Sequence, residues 1–110
     1  MSEWPAIEYD DDGYPTDESM EAVEAMPIDF AGAPAFVRAA LANCAENCCA
    51  YYDEAPAEST SGRPVIHASF STGGWSGAES VIYLIERRPD TSHSMLSWHR
   101  GGHYVFEFAP

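Results

Sequence analysis

The fold is decided by one stretch, residues 65–87, which reads VIHASFSTGGWSGAESVIYLIER. Its first six residues are mostly β-branched, aromatic or small, and they predict a strand over residues 65–70. The glycine-rich residues 71–77 then predict a tight turn. A helix is predicted over residues 78–87, because four large apolar residues fall on one helical face: Val81, Ile82, Leu84 and Ile85.

Downstream of this stretch, the sequence predicts two more strands, over residues 94–99 and 103–108. Between them stands Arg100-Gly101-Gly102. A Gly-Gly pair supplies the positive φ angles that a tight hairpin turn requires. The chain therefore ends in a predicted β-hairpin, and Pro89 lies just beyond the end of the preceding helix.

Upstream, the sequence predicts a long helix over residues 33–51. Alanine content favours a helix, and Pro34 stands in the first turn, where its missing N–H group does no harm. One apolar stripe with a four-three-four-three spacing is expected to face the core: Val37, Leu41, Cys44, Cys48 and Tyr51. Residues 53–62 show neither a pattern nor large apolar side chains and predict an exposed loop.

The first residues predict an irregular arm, residues 1–14, that ends in a turn at Asp10-Asp11-Asp12-Gly13. After the arm, Thr16 is the predicted N-cap of a helix over residues 17–26. Two acidic residues in the first turn of that helix are favoured by the helix dipole.

These elements together predict one α+β domain, residues 1–110, in the order helix, helix, strand, helix, strand, strand. The three strands are expected to form a small, mainly antiparallel sheet. A chain of 110 residues has room for one compact core.

The charge of the chain is strongly negative and unevenly distributed. Eighteen carboxylates stand against five arginines, there is no lysine, and the formal net charge is −13. Residues 1–60 carry all of this net charge, whereas residues 61–110 are neutral. Direct binding of nucleic acid is therefore disfavoured, and a basic partner is expected. The alternative is that the acidic face serves only solubility.

The sequence predicts a cytosolic protein without membrane contact. No apolar run approaches the roughly 20 residues that cross a bilayer, and the first residues lack a basic segment followed by an apolar one. Cys44, Cys48 and Cys49 are odd in number and crowded together. That arrangement fits reduced thiols and not a secreted disulfide framework.

One pattern suggests serine catalysis. Ser76 follows a strand and a glycine-rich turn, as the nucleophile of many hydrolases does, but the second glycine stands one place early for that motif. Gly73, Gly74 and Gly77 are instead interpreted as structural turn residues, with Trp75 packed into the core. We therefore expect no enzyme activity.

Candidate metal ligands are few. Cys44 and Cys48 are one helical turn apart, a spacing that paired ligands use, but both fall on the apolar stripe. His99 and His103 flank the hairpin turn, and two histidines do not make a closed zinc site. The Asp10-Asp11-Asp12-Gly13 run lacks the alternating ligands of a calcium loop. We predict no metal and no cofactor.

Three segments are distinctive. They are Gly13-Tyr14-Pro15-Thr16 before an acidic helix, Ser71-Thr72-Gly73-Gly74-Trp75-Ser76-Gly77 with Glu79, and Arg100-Gly101-Gly102-His103-Tyr104-Val105-Phe106. Together they resemble a family of small uncharacterised phage and prophage proteins with a Thr-Gly-Gly-Trp-Ser-Gly turn and a terminal Arg-Gly-Gly-His-Tyr hairpin. The likeness spans most of the chain, although Ala78 stands where the family has a polar residue, and the family has no established activity.

The resemblance implies a phage origin, and small acidic proteins of that origin resemble inhibitors of host defence such as anti-CRISPR proteins. Several such inhibitors imitate DNA, because a rigid array of carboxylates competes for a basic channel. We therefore expect a monomer that binds a basic host protein or complex, such as a CRISPR surveillance complex, in the host cytosol. The residues expected to bind it are Asp10, Asp11, Asp12, Asp17, Glu18, Glu21, Glu24 and Asp29.

The alternative is a non-inhibitory phage accessory or regulatory protein. It would bind its partner through residues 73–77 and the terminal hairpin, where glycines, arginine and histidine are concentrated.

Overall fold

The computed structural model describes residues 3–47 and 50–110 of the chain. Over these ranges it is an α+β fold with four helices and one four-stranded antiparallel sheet. The elements in chain order are α1 (Asp17–Glu24), α2 (Ala33–Asn47), β1 (Tyr51–Glu58), β2 (Pro64–Ser71), α3 (Ser76–Glu86), α4 (Pro89–Ser92), β3 (Met95–His99) and β4 (His103–Phe108). None of these helices is both long and apolar enough to cross a membrane.

The sheet has the strand order β1-β2-β4-β3, so β2 and β4 lie in its centre. Ala68 of β2 pairs with Phe106 of β4, and both are fully buried. Because side chains alternate across a strand, this buried face also includes Phe70 and Phe108. The opposite face carries polar side chains, among them His67.

The helices α2 and α3 contribute the other half of the core. Val37, Leu41 and Cys44 of α2 are fully buried, as the apolar stripe predicts. All four apolar residues predicted on the buried face of α3 are also buried. The core therefore lies between these two helices and the inner face of the sheet.

Several predicted boundaries agree with the structure to within two residues. Thr16 caps α1, and its Oγ1 accepts a hydrogen bond from the Ser19 N–H at 3.3 Å. The last strand spans His103–Phe108, as predicted, and the turn before it has φ angles of +93° at Gly101 and +79° at Gly102.

One strand is missing from the sequence-based prediction. The prediction that the second helix continues to Tyr51 is wrong, because α2 ends at Asn47 and Tyr51 begins β1. The predicted loop over residues 53–62 is wrong for its first six residues, which pair with β2. β1 is an edge strand whose acidic residues and Pro56 disfavour strand formation, so it forms because of its pairing with β2 and not because of its own strand propensity. Cys48 and Cys49 lie outside the described residues.

The short helix α4 is also missing from the prediction, although Pro89 marks its first turn. This helix carries Asp90, which forms a buried ion pair with Arg88. The two side chains are aligned so that Arg88 Nε and Nη2 donate to the two carboxylate oxygens at 2.9 and 2.7 Å. Asp90 also accepts hydrogen bonds from the N–H groups of Asp29 and Thr91, each at 2.9 Å.

The remaining donors of Arg88 bind the end of α1. Nη1 donates to the carbonyl oxygens of Val23 at 2.8 Å and Met26 at 2.7 Å, and Nη2 donates to Pro27 at 3.1 Å. Val23 lies in the last turn of α1, and Met26 and Pro27 follow the helix, so the guanidinium lies at the C-terminal end of α1, where the helix dipole favours a cation. The Trp4 ring lies 4.8 Å from the guanidinium carbon. Arg88 therefore joins α1, α4 and the N-terminal arm.

Replacement of Arg88 with methionine is expected to lower the free energy of unfolding by about 3–5 kcal/mol, because Asp90 is left charged and buried without its partner. The neighbouring Arg87, whose pair with Glu24 is exposed to solvent, is the matched control. Arg87→Met should cost about 0–1 kcal/mol. Urea unfolding measures both values, and equal small losses would show that the buried pair is not a main determinant of stability.

Candidate functional site

The loop formed by residues 10–14 is held in one conformation by its own hydrogen bonds, and we call it the acidic loop. Asp10 Oδ1 accepts the N–H groups of Asp12 and Tyr14, both at 3.0 Å. The Asp10 N–H donates to the Tyr14 carbonyl at 2.8 Å, and Tyr9 forms a β-bridge with Pro15. The loop is therefore an ordered turn that projects Asp11 and Asp12 into solvent.

The acidic loop packs against the glycine-rich turn before α3. The Tyr14 hydroxyl lies 2.8 Å from Ser76 Oγ, and its ring lies 5.0 Å from the Trp75 ring. At Gly77 a Cβ would lie 2.5 Å from Trp75 Nε1 and 2.8 Å from the Gly13 carbonyl oxygen. Gly77 is therefore needed for this close approach, which ties the acidic loop to α3.

Helix α1 adds three exposed carboxylates next to the loop in sequence: Asp17, Glu18 and Glu21. Asp17 and Glu21 are four residues apart, and Glu18 and Glu21 are three apart, so Glu21 is a surface neighbour of both. We define the acidic surface as Asp11, Asp12, Asp17, Glu18 and Glu21. Within residues 3–47 and 50–110, no hydrogen bond or ion pair engages these five carboxylates.

The other three predicted binding residues have partners within the protein. Asp10 holds the acidic loop as described. Glu24 pairs with Arg87 at 2.9 Å. Asp29 accepts the Trp4 Nε1–H and the Gly32 N–H, both at 3.0 Å, at the start of α2. These three side chains have structural roles that the sequence pattern does not distinguish from exposed ones.

The second predicted surface consists of the glycine-rich turn and the terminal hairpin, which the structure brings together. The Thr72 N–H donates to the Gly102 carbonyl at 3.0 Å. Gly73 and Gly74 have φ angles of +62° and +77° and are exposed, as is Gly101. We call residues 73, 74 and 100–102 the glycine surface.

The structure gives Ser76 a tyrosine neighbour, because its Oγ atom contacts the hydroxyl of Tyr14. Among the described residues, no histidine is hydrogen-bonded to Ser76. His103 instead contacts Ser71, with 2.6 Å between Nδ1 and Oγ, on the outer face of the sheet. Within residues 3–47 and 50–110, the hydrogen bonds of a serine triad are therefore not present around Ser76.

Three histidines share the outer face of the sheet, an arrangement that sequence reasoning found only at the hairpin. His99 and His103 are directly opposite one another, and His67 Nε2 lies 3.0 Å from a carboxylate oxygen of Glu107. Across the part of the chain that the structure describes, no three His, Cys, Asp or Glu side chains are grouped to hold a metal ion.

Sequence reasoning also missed a charged cluster between α2 and β1. Arg38 Nε and Nη2 donate to the two carboxylate oxygens of Glu54 at 2.7 and 2.5 Å, and the Tyr52 hydroxyl donates to the same carboxylate. The hydrogen bond from Arg38, with that from Tyr52, lowers the pKa of Glu54 to about 2. Burial and the bond to Glu54 raise the pKa of Tyr52. The cluster lies at the rim of an open groove of about 490 Å³ lined mainly by alanines, three of them from α2.

Comparisons with known proteins add no relative: the chain matches no protein-family model, no curated protein and no solved structure. Functional inference therefore rests on the residues and geometry described above.

Glu54→Gln is expected to destabilise the fold by about 1 kcal/mol or less at neutral pH, because the pair with Arg38 is partly exposed. The lowered pKa of Glu54 means that this stabilisation is present above pH 4.5 and is lost as the pH falls towards 2. Urea unfolding across this range should therefore show the variant and the wild type converging. Glu58→Gln, exposed on the same strand, is the control, and a difference that does not shrink in acid would contradict the assignment.

Gly77→Ala is expected to destabilise the protein by about 1–3 kcal/mol, because the added methyl group overpacks the contact with Trp75 and Gly13. In an ordinary helix the same change raises the free energy of unfolding by about 1 kcal/mol, so a loss of stability here would support the tight packing at Gly77. Hydrogen exchange at the Tyr14 amide should accelerate, because the acidic loop loses its support. Ser80→Ala in the same helix is the control, and a stabilising effect at Gly77 would contradict the close approach.

Proposed function

We propose that this protein is an acidic inhibitor that binds the nucleic-acid channel of a host defence complex and competes there with DNA. The observation that carries the proposal is the acidic surface, whose five carboxylates are exposed and have no partner among the described residues. The family resemblance of the sequence suggests the class of target, a CRISPR surveillance complex in the host cytosol.

Preorganisation of the carboxylates supports this proposal. Asp11 and Asp12 lie in a loop fixed by the Asp10 side chain, and Asp17 follows a helix cap. Binding therefore requires little ordering of the acidic surface, and ordering is one of the main costs of association. A fixed array of negative charges can replace phosphates in a basic channel, whereas a flexible acidic tail would lose entropy on binding.

The charge of the partner follows from electrostatics. A surface with a strong negative potential repels nucleic acid and attracts basic proteins, with fast association at low ionic strength. Residues 61–110 have no net charge, so the attraction comes from the first part of the chain. The inhibition should therefore weaken as salt is added.

A charge-matched pair of variants tests the proposal. The first variant neutralises the acidic surface and is D11N/D12N/D17N/E18Q/E21Q. The second neutralises five exposed carboxylates elsewhere and is E46Q/D53N/E58Q/E79Q/E86Q. Both variants change the net charge equally, so a difference between them reports position and not total charge.

The measurement is inhibition of target-DNA binding by a panel of purified CRISPR surveillance complexes, assayed in steps of rising salt. The first variant is expected to lose inhibition by about tenfold or more, with a shallower salt dependence, while the second loses about threefold or less. Urea unfolding confirms that both variants fold. Equal losses would show that only total charge matters, and absence of binding to any complex at low salt would refute the proposed target class.

The glycine surface supports a second candidate function, a phage accessory or regulatory protein without inhibitory activity. The hydrogen bond from Thr72 to Gly102 sets exposed backbone of both turns beside the exposed Arg100. Arg100→Ala should abolish partner binding if this surface is the contact, and should leave inhibition unchanged if the acidic surface is the contact. The inhibition assay, combined with a direct measurement of binding to the same complexes, therefore separates the two candidates.

A further inference from the structure

Among the described strands, β1 and β3 form the two edges of the sheet, and the first of them is protected against pairing. β1 carries Asp53, Glu58 and Pro56, and the first two are exposed. Charged residues and proline on an edge strand are the devices by which proteins prevent association through unpaired backbone groups. The edge at β1 is therefore closed to a further strand.

The second edge, β3, has no proline and no carboxylate in its sequence, MLSWH. Leu96 is 50% exposed and Trp98 is 61% exposed, so both place large apolar side chains at the surface. A shift in register between Met95 and Ser97 displaces Leu96 from the ladder with β4, and residues 97–99 form the regular part of this edge.

The charge distribution of the chain indicates which partner can pair with this edge. β3 belongs to the neutral part of the chain, and the strand order places it at the opposite side of the sheet from Asp53 and Glu58. Two copies that each carry a net charge of −13 can approach closely only through a neutral surface. An antiparallel strand edge is also self-complementary about a two-fold axis.

We propose that two copies of this protein pair antiparallel along β3 and form one continuous eight-stranded sheet. A two-fold axis at Trp98, the centre of residues 97–99, places the Trp98 ring of one copy against Trp98 of the second. Ser97 then lies opposite His99 of the second copy. Cross-strand aromatic pairs stabilise sheets, so this contact supplies the apolar centre of the interface.

The dimer replaces the sequence-based expectation of a monomer. It does not depend on the proposed inhibitory function, because β3 contains none of the acidic surface. If both hold, each assembly presents two acidic surfaces, and a target with two basic channels would be bound with increased avidity.

Sedimentation of the full chain tests the proposal over about 10 µM to about 1 mM protein. The wild type is expected to form dimers, and Trp98→Asp to weaken them about 100-fold, because it removes the buried ring and adds charge to the edge. Tyr51→Asp on β1 is the matched control, since Tyr51 is 59% exposed, and it should leave the dimer intact. Trp98→Ser, which removes the ring without adding charge, is a second interface variant in case Trp98→Asp does not fold.

Hydrogen exchange locates the interface within the same samples. The amides of residues 97–99 that do not pair with β4 should become protected at high protein concentration in the wild type and not in Trp98→Ser. A wild type that stays monomeric to about 1 mM would overturn the proposal. A dimer disrupted by Tyr51→Asp and not by either β3 variant would also overturn it.

The salt dependence distinguishes this proposal from the proposed function. Screening reduces repulsion between two acidic copies, so the dimer should strengthen between about 0.05 M and about 0.5 M salt. Binding of a basic partner should weaken over the same range. Failure of one proposal therefore leaves the other testable with the same protein.

Discussion

The buried guanidinium of Arg88 is the group on which the arrangement of the helical layer depends. Burying a charge is costly, and here the cost is offset by a two-point ion pair with Asp90 and by carbonyl oxygens at the end of α1. Val23 is in α1 and Met26 lies just beyond its end, and α1 is the helix that carries much of the acidic surface. The geometry of Arg88 therefore fixes where α1 ends and how it lies beside α4.

The elements that the sequence predicted best are those whose residues are buried. β2, α3 and β4 are rich in β-branched, aromatic or periodic apolar residues, and their local preferences agree with the core they enter. β1 could not be predicted in this way, because its eight residues are mostly exposed and its preferences oppose a strand. It forms through hydrogen bonds to β2, a contact between distant parts of the chain that periodicity does not report.

The candidate site shows the same limit. The sequence identifies a cluster of carboxylates, but it treats a capping aspartate and an exposed one alike. The Asp29 carboxylate accepts the N–H of Gly32, directly before α2, and that of Trp4 Nε1, whereas Asp17 has no such contacts among the described residues. The Arg88–Asp90 pair was missed for a related reason, because arginine and aspartate are usually exposed and only the fold shows them buried.

The distribution of arginines bears on whether the acidic surface is a binding site or a solubilising coat. Arg38, Arg87 and Arg88 each pair with a carboxylate, and none of their partners belongs to the acidic surface. A surface designed for solubility usually intersperses both signs of charge. Here these three arginines pair with carboxylates that lie outside the acidic surface. The five carboxylates of the acidic surface therefore keep their mutual repulsion, which opposes folding. The basic partner of the proposed function would supply the positive charge that relieves this repulsion.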